Sequence, residues 1–178
     1  GILTADIEAF NAELLKGAAR AIRGSGYDLV VFSDCGPRDD QAGWERRSLG
    51  RISALTDGTI LVTPSSVDVT LSAPLVAVDH NLRSATMATV DSDNLSGAIT
   101  ATEYLIGLGH RRIGFLAGRP DLESAQLREQ GYRRALETAG IAFDPQLVRV
   151  GGFQAETARS AARELLVAEE RPTAIFAA

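Results

Sequence analysis

In 178 residues the chain has one cysteine, Cys35, so an intrachain disulfide is excluded, which suits a reducing cytoplasm. Only two histidines, His80 and His110, accompany that thiol, so neither a Cys/His zinc site nor any other metal or cofactor is expected. No stretch approaches the roughly 18 consecutive apolar residues of a transmembrane helix, and no secretory signal is recognisable, so no membrane partner is expected. Positive charge is also short: 18 Lys+Arg stand against 23 Asp+Glu, a net charge of −5. Such a chain has no net electrostatic pull on nucleic acid, and any DNA contact must come from elsewhere. Enzyme motifs are missing as well. There is no GxSxG and no GxxxxGK[ST]. Gly24-Ser25-Gly26 follows a helix and precedes a strand, whereas a dinucleotide loop must follow a strand and open a helix; it reads as a helix end and turn. Asp34-Cys35 follows a strand, where an α/β nucleophile can sit, but a lone cysteine there reads first as a small residue. The chain is not expected to be an enzyme.

What is present is an ordinary globular composition, 45% hydrophobic, long enough for one large domain or two small lobes. Apolar spacing predicts strands near Gly1–Thr4, Asp28–Ser33, Gly58–Thr63, Pro74–Val78, Met87–Val90, Ile113–Ala117, Leu147–Val150 and Thr173–Ala178. Helices are predicted over Glu8–Arg23, Gln41–Leu55, Asp93–Leu108, Ala125–Ala139 and Ala155–Ala168. In the first of these, Phe10, Leu14, Ala18, Ala21 and Ile22 share one face. Strands alternating with helices mean βαβ units and parallel sheets, an α/β fold.

The densest signal is Asp91–Gly118, DSDNLSGAITATEYLIGLGHRRIGFLAG. Asp93 or Asn94 can cap a helix whose Leu95, Ala98, Ile99, Thr102, Leu105 and Ile106 repeat at helical spacing. Gly109 can end it in the left-handed conformation, and His110, Arg111 and Arg112 then sit by its negative end. Ile113–Ala117 reads as a parallel strand buried on both faces. In open parallel sheets, ligands gather beyond the carboxyl ends of the strands. The loops there carry Phe10-Asn11, Asp79-His80, the segment leading from Gly118 to Arg128, and Gly151-Gly152-Phe153. Phe10 and Phe153 can supply aromatic planes to a sugar or nucleobase, and Arg128 a forked donor. Each has a plainer reading beside it. Phe10 is at core spacing with Leu14. Arg128, between Ser124 and Tyr132 on one helix face, fits a solvated arginine, and His80 fits a loop surface.

The stretch ending in LGHRRIGFLAG, with REQGYRRALETAGI after it, resembles the effector-binding core of LacI/GalR-type bacterial transcription regulators, in register from Asp6 to Ala178. The resemblance implies a two-lobed periplasmic-binding-protein-like fold of type I, parallel sheets flanked by helices. It is incomplete here, with residues 1–93 in one lobe and 94–178 in the other. It implies a helix-turn-helix head outside this sequence that binds operator DNA, a homodimer, and a small-molecule effector of sugar or nucleoside class held between the lobes. The arginine three residues before the Gly131-Tyr132 pair is Arg128, an effector contact in the family. Phe10 and Phe153 match family aromatics, and Asp79-His80 an acidic residue and its ligand-facing neighbour. Two positions depart: Gln126 stands where many members have a second arginine, and Glu8-Ala9-Phe10 replaces Asn-Pro-Phe. A solute-binding protein of a sugar ABC transporter is the alternative on the same fold.

Overall fold

The computed structural model describes residues 1–5, 7, 9–34, 40–65, 73–80 and 87–178. Cys35, Asp6 and Glu8 lie outside the described residues. The described chain forms two compact units, Gly1–Asp91 and Ser92–Ala178.

The first unit runs β1 (Ile2–Thr4), α1 (Ala9–Ala21), β2 (Val31–Ser33), α2 (Gln41–Ser53), β3 (Thr59–Val62), β4 (Leu75–Val78) and β5 (Ala88–Val90). All five strands are parallel, in the order β2-β1-β3-β4-β5. Burial follows place in the sheet. Interior β1 and β3 are nearly continuous apolar runs, as strands covered on both faces must be, while edge strand β5 is exposed throughout. Leu3 and Leu61 from the sheet meet Leu49 and Ile52 of α2 in the core. Asp40 caps α2 by accepting the Gly43 amide at 3.1 Å.

Two expectations are corrected here. The run Asp28–Ser33 pairs as a strand only over its last three residues, and the Val30 carbonyl still accepts the Ile2 amide at 2.8 Å. The proposed packed face of α1 is partial: Leu14, Ala18 and Ile22 are half-buried, but Phe10 and Ala21 are exposed. Phe10 is 57% exposed, which removes its core reading.

The second unit runs α3 (Asn94–Gly107), β6 (Ile113–Ala117), α4 (Glu123–Thr138), β7 (Val148–Val150), α5 (Ala155–Val167) and β8 (Ala174–Ala177). A 3-10 turn over Pro145–Leu147 precedes β7. The strands are parallel, with β6 between β7 and β8. Ile113 and Phe115 of β6 are fully buried against Tyr132 and Leu136 of α4. The Phe115 and Tyr132 rings stack at 4.9 Å. Tyr132 donates its hydroxyl to the Ile113 carbonyl at 2.8 Å. Burial, with the charges of Asp144 and Glu129 adding and Arg133 opposing, pushes that phenol up to about 12, so it stays a donor.

Gly131 explains how α4 meets α3. A Cβ there would lie 2.6 Å from the Leu95 carbonyl oxygen and 2.7 Å from the Ala98 Cβ, so only glycine allows this approach. At the end of α3, Gly109 adopts φ +94° as its sequence predicts. No helix among the described residues is long and apolar enough to cross a membrane.

Candidate functional site

Parallel topology puts every strand's carboxyl end on one edge of its sheet, where the following loop turns back. In the first unit, Phe10 and Asn11 lie in the first turn of α1, after β1, and Asp79-His80 follow β4. In the second, Gly118 follows β6 and Phe153 follows β7, while Arg128 lies in the second turn of α4.

Backbone strain marks the same edges. Among the described residues, three that are not glycine have positive φ: Thr63 (49°) after β3, Asp79 (51°) after β4 and Phe153 (64°) after β7. Side chains rarely adopt this region, and each such residue costs on the order of 1–3 kcal/mol, so the surroundings must enforce it. In the first unit the enforcing bonds repeat. The Thr63 amide donates to the Val78 carbonyl at 2.8 Å, and the Asp79 amide to the Val90 carbonyl at 3.1 Å. Each curled residue is tied to the last residue of the neighbouring strand. Glu45 adds a second restraint on the loop after β3. It is 4% exposed, and its carboxylate accepts the Ser65 amide at 3.0 Å and the Ser65 hydroxyl at 3.1 Å.

His80 is anchored to β5's end. Its amide donates to Asp91 Oδ1 at 3.2 Å, and its Nδ1 stands 3.1 Å from the same oxygen. Burial pushes the Asp91 carboxyl up, but hydrogen bonds from His80 and Thr89, with the His80 charge, hold it below the ordinary aspartate value. With Nδ1 engaged, His80 keeps Nε2 for another partner.

In the second unit Arg128 and Phe153 come together. The Gly151 and Gly152 amides both donate to the Ala117 carbonyl, at 2.8 and 3.2 Å, so the loop after β7 hangs on the end of β6. Gly152 and Phe153 then turn through consecutive left-handed conformations, which bring the ring over Gly118. A Cβ on Gly118 would fall 2.1 Å from the ring's Cζ, so the ring's seat exists only because residue 118 has no side chain. Arg128 Cζ lies 5.7 Å from the Phe153 ring centroid, within cation–π range. Its Nε donates to Asn94 Oδ1 at 2.8 Å. Among the described residues the guanidinium makes no ion pair, and its two terminal nitrogens carry no hydrogen bond. Arg128 is therefore not the freely solvated helix arginine of the plainer reading: it is half-buried, oriented, and has its forked end unused.

The sequence does not single out Asn94 or Thr63 as site residues, and it offers Gly118 only as the start of a candidate loop. Sequence offers Asn94 only as an alternative helix cap; the cap is Asp93, which accepts the Ser96 amide at 3.1 Å. Its true partner is 34 residues away, and no local pattern signals that. Gln126, at the departure from the family's second arginine, donates instead to the Pro120 carbonyl at 2.8 Å. Among the described residues no three His, Cys, Asp or Glu side chains cluster as metal ligands.

Two parallel α/β units with restrained strand-end loops define a periplasmic-binding-protein-like architecture. Residues 102–178 match the periplasmic binding protein-like domain. The HTH-type transcriptional repressor CytR of Escherichia coli (strain K12) is 31% identical over 183 residues, covering 98% of this chain and 52% of the repressor. A solved protein from Burkholderia thailandensis, described as a ribose operon repressor, is 30% identical with a TM-score of 0.81, covering 99% of this chain and 67% of that one. The complex of the transcriptional regulator CelR with cellobiose is 29% identical with a TM-score of 0.78, covering 99% of this chain and 57% of that one. The chain belongs to the LacI family of transcription regulators, and lies in its effector-binding region. It spans about half the length of the curated relatives it matches.

Proposed function

We propose that this chain is the effector-binding part of a transcription regulator, and that it takes a small molecule of sugar or nucleoside class at the carboxyl edges of its sheets. The observation that carries this is Arg128, which is half-buried, held at Nε by Asn94, backed by the Phe153 ring, and has both terminal nitrogens unused among the described residues. A planar fork beside an aromatic face suits a hydroxylated ring: the fork binds oxygens and the ring covers an apolar face. In the first unit, Phe10, Asn11, Asp79 and His80 are the corresponding ligand contacts. Exposure of the Phe10 ring, and a His80 Nε2 that carries no hydrogen bond among the described residues, support their share.

Binding would bias the regulator between two conformations and so change its affinity for operator DNA, which is allostery between distinct sites. DNA contact would fall to a part of the longer protein outside this acidic sequence, with a net charge of −5. A homodimer would place two DNA-binding heads on a two-fold operator. The exposed apolar residues Tyr27, Val30 and Val31, on and just before edge strand β2, support a self-association surface. The protein would act in the cytoplasm and catalyse no reaction. The relatives are repressors, which favours this reading over a transport solute-binding protein.

The test is operator binding by the full-length protein with and without candidate sugars and nucleosides. The proposal expects one of them to change operator affinity by at least about fivefold, the lower range of allosteric coupling. Affinity unmoved by any compound that binds the protein would contradict it.

A further inference from the structure

We propose that Asn94 is the positioning residue of the effector site. On this reading it fixes which edge of the Arg128 guanidinium meets the ligand, and it ties that arginine to the segment joining the two units. The inference rests on the functional reading above, in which Arg128 holds the effector.

A guanidinium has two edges that can donate to a pair of oxygens: a side edge, made of Nε and one terminal nitrogen, and an end edge, made of both terminal nitrogens. Arg128 Nε is spent on Asn94 Oδ1 at 2.8 Å. The side edge is closed and the end edge remains, with Arg128 Cζ over the Phe153 ring at 5.7 Å from its centroid. A ligand must then present two oxygens end-on, spaced as vicinal ring hydroxyls or a carboxylate are. Arginine offers no acceptor, so the group facing it must be the amide's oxygen, which points the asparagine's Nδ2 the other way.

That Nδ2 donates to the Ser92 carbonyl at 3.1 Å, and the Asn94 backbone amide donates to the same carbonyl at 2.8 Å. Ser92 is the first residue of the second unit, and Asp91 the last of the first. Asn94 is 8% exposed, so its polar atoms cannot trade these partners for water without cost. One buried amide thus joins the arginine to the chain crossing between units. Two hydrogen bonds in series connect Arg128 to the Ser92 carbonyl. Asp93, between them, is already committed to capping α3.

The first arm of the test needs no ligand. In the isotopically labelled full-length protein, solvent exchange of the Arg128 Nε proton is compared among wild type, Asn94→Leu and Asn94→Asp. Leucine keeps the volume and removes the acceptor; aspartate keeps an acceptor and loses the donor to Ser92. Exchange should be about tenfold faster in Asn94→Leu, the equivalent of one hydrogen bond, and slow again in Asn94→Asp. The Ser92 and Asp93 backbone amide resonances should move in both variants.

The second arm is calorimetry on the full-length protein with cellobiose, D-ribose and adenosine as probes, adding Arg128→Ala. Whichever probe binds wild type should bind Asn94→Leu at least about tenfold more weakly, with Arg128→Ala weaker still. Unchanged exchange in Asn94→Leu overturns the proposal. So does loss of binding in Arg128→Ala but not in Asn94→Leu, which would leave the ligand role of Arg128 standing. If none of the three probes binds wild type, the exchange arm alone decides whether Asn94 positions Arg128.

Discussion

Phe153 occupies backbone space that penalises a side chain, and it does so over a glycine that its own ring makes irreplaceable. Strain of on the order of 1–3 kcal/mol persists only where other bonds over-determine it, here the two amides that hang the loop on Ala117. A Gly118→Ala change therefore acts on the site more than on the fold. Its methyl would fall within the ring and push Phe153 away from Arg128. Calorimetry should show effector affinity falling about tenfold, near 1.4 kcal/mol, while ligand-free melting stays close to wild type. Unchanged affinity would remove Phe153 from the binding site. Arg128 and Phe153 were legible as candidates from their places after strands and from the resemblance. Thr63 was not: nothing local announces that a β-branched residue will take φ 49°, because the cause is its bond to the neighbouring strand's Val78. Asn94 escaped for a related reason, since its function lies in a contact made only when α3 and α4 pack.

At the scale of elements, the Gly131-Tyr132 pair that carried much of the resemblance has a packing explanation. Gly131 lets α4 approach the backbone of α3, and Tyr132 fills the core against Phe115. Together they set α4 against both α3 and the sheet, and so carry Arg128 to Asn94 one helical turn earlier. Gly131→Ala would press a methyl into the Leu95 carbonyl, a backbone atom that cannot swing aside. Overpacking of this kind costs about 1–3 kcal/mol, to be measured by urea unfolding, and should weaken effector binding in parallel. A neutral effect on stability would show that the helices are not held in register by this contact. The order of strands and helices was readable because periodicity, caps and glycine stops are local. Strand extent was not: Asp28–Val30 has a strand's composition, but β2 is an edge with one neighbour, and its pairing stops at Val31.

Across the whole chain, each unit carries its own parallel sheet and its own set of restrained loops at the carboxyl edge. The α/β class followed from the alternation of elements. Which small molecule is bound was not readable. An arginine fork and a phenyl ring suit many hydroxylated rings, and individual sugars or nucleosides differ by contacts that a handful of residues do not encode. The most direct measurement is a thermal-shift screen of the full-length protein and its Arg128→Ala variant against sugars, sugar phosphates and nucleosides. Binding to the native state raises the melting temperature by mass action, about 2.7 kcal/mol of stabilisation at a hundredfold excess over Kd. The account predicts at least one compound that stabilises the wild type and fails to stabilise Arg128→Ala, the two ligand-free proteins melting alike. A compound that stabilises both equally would contradict it.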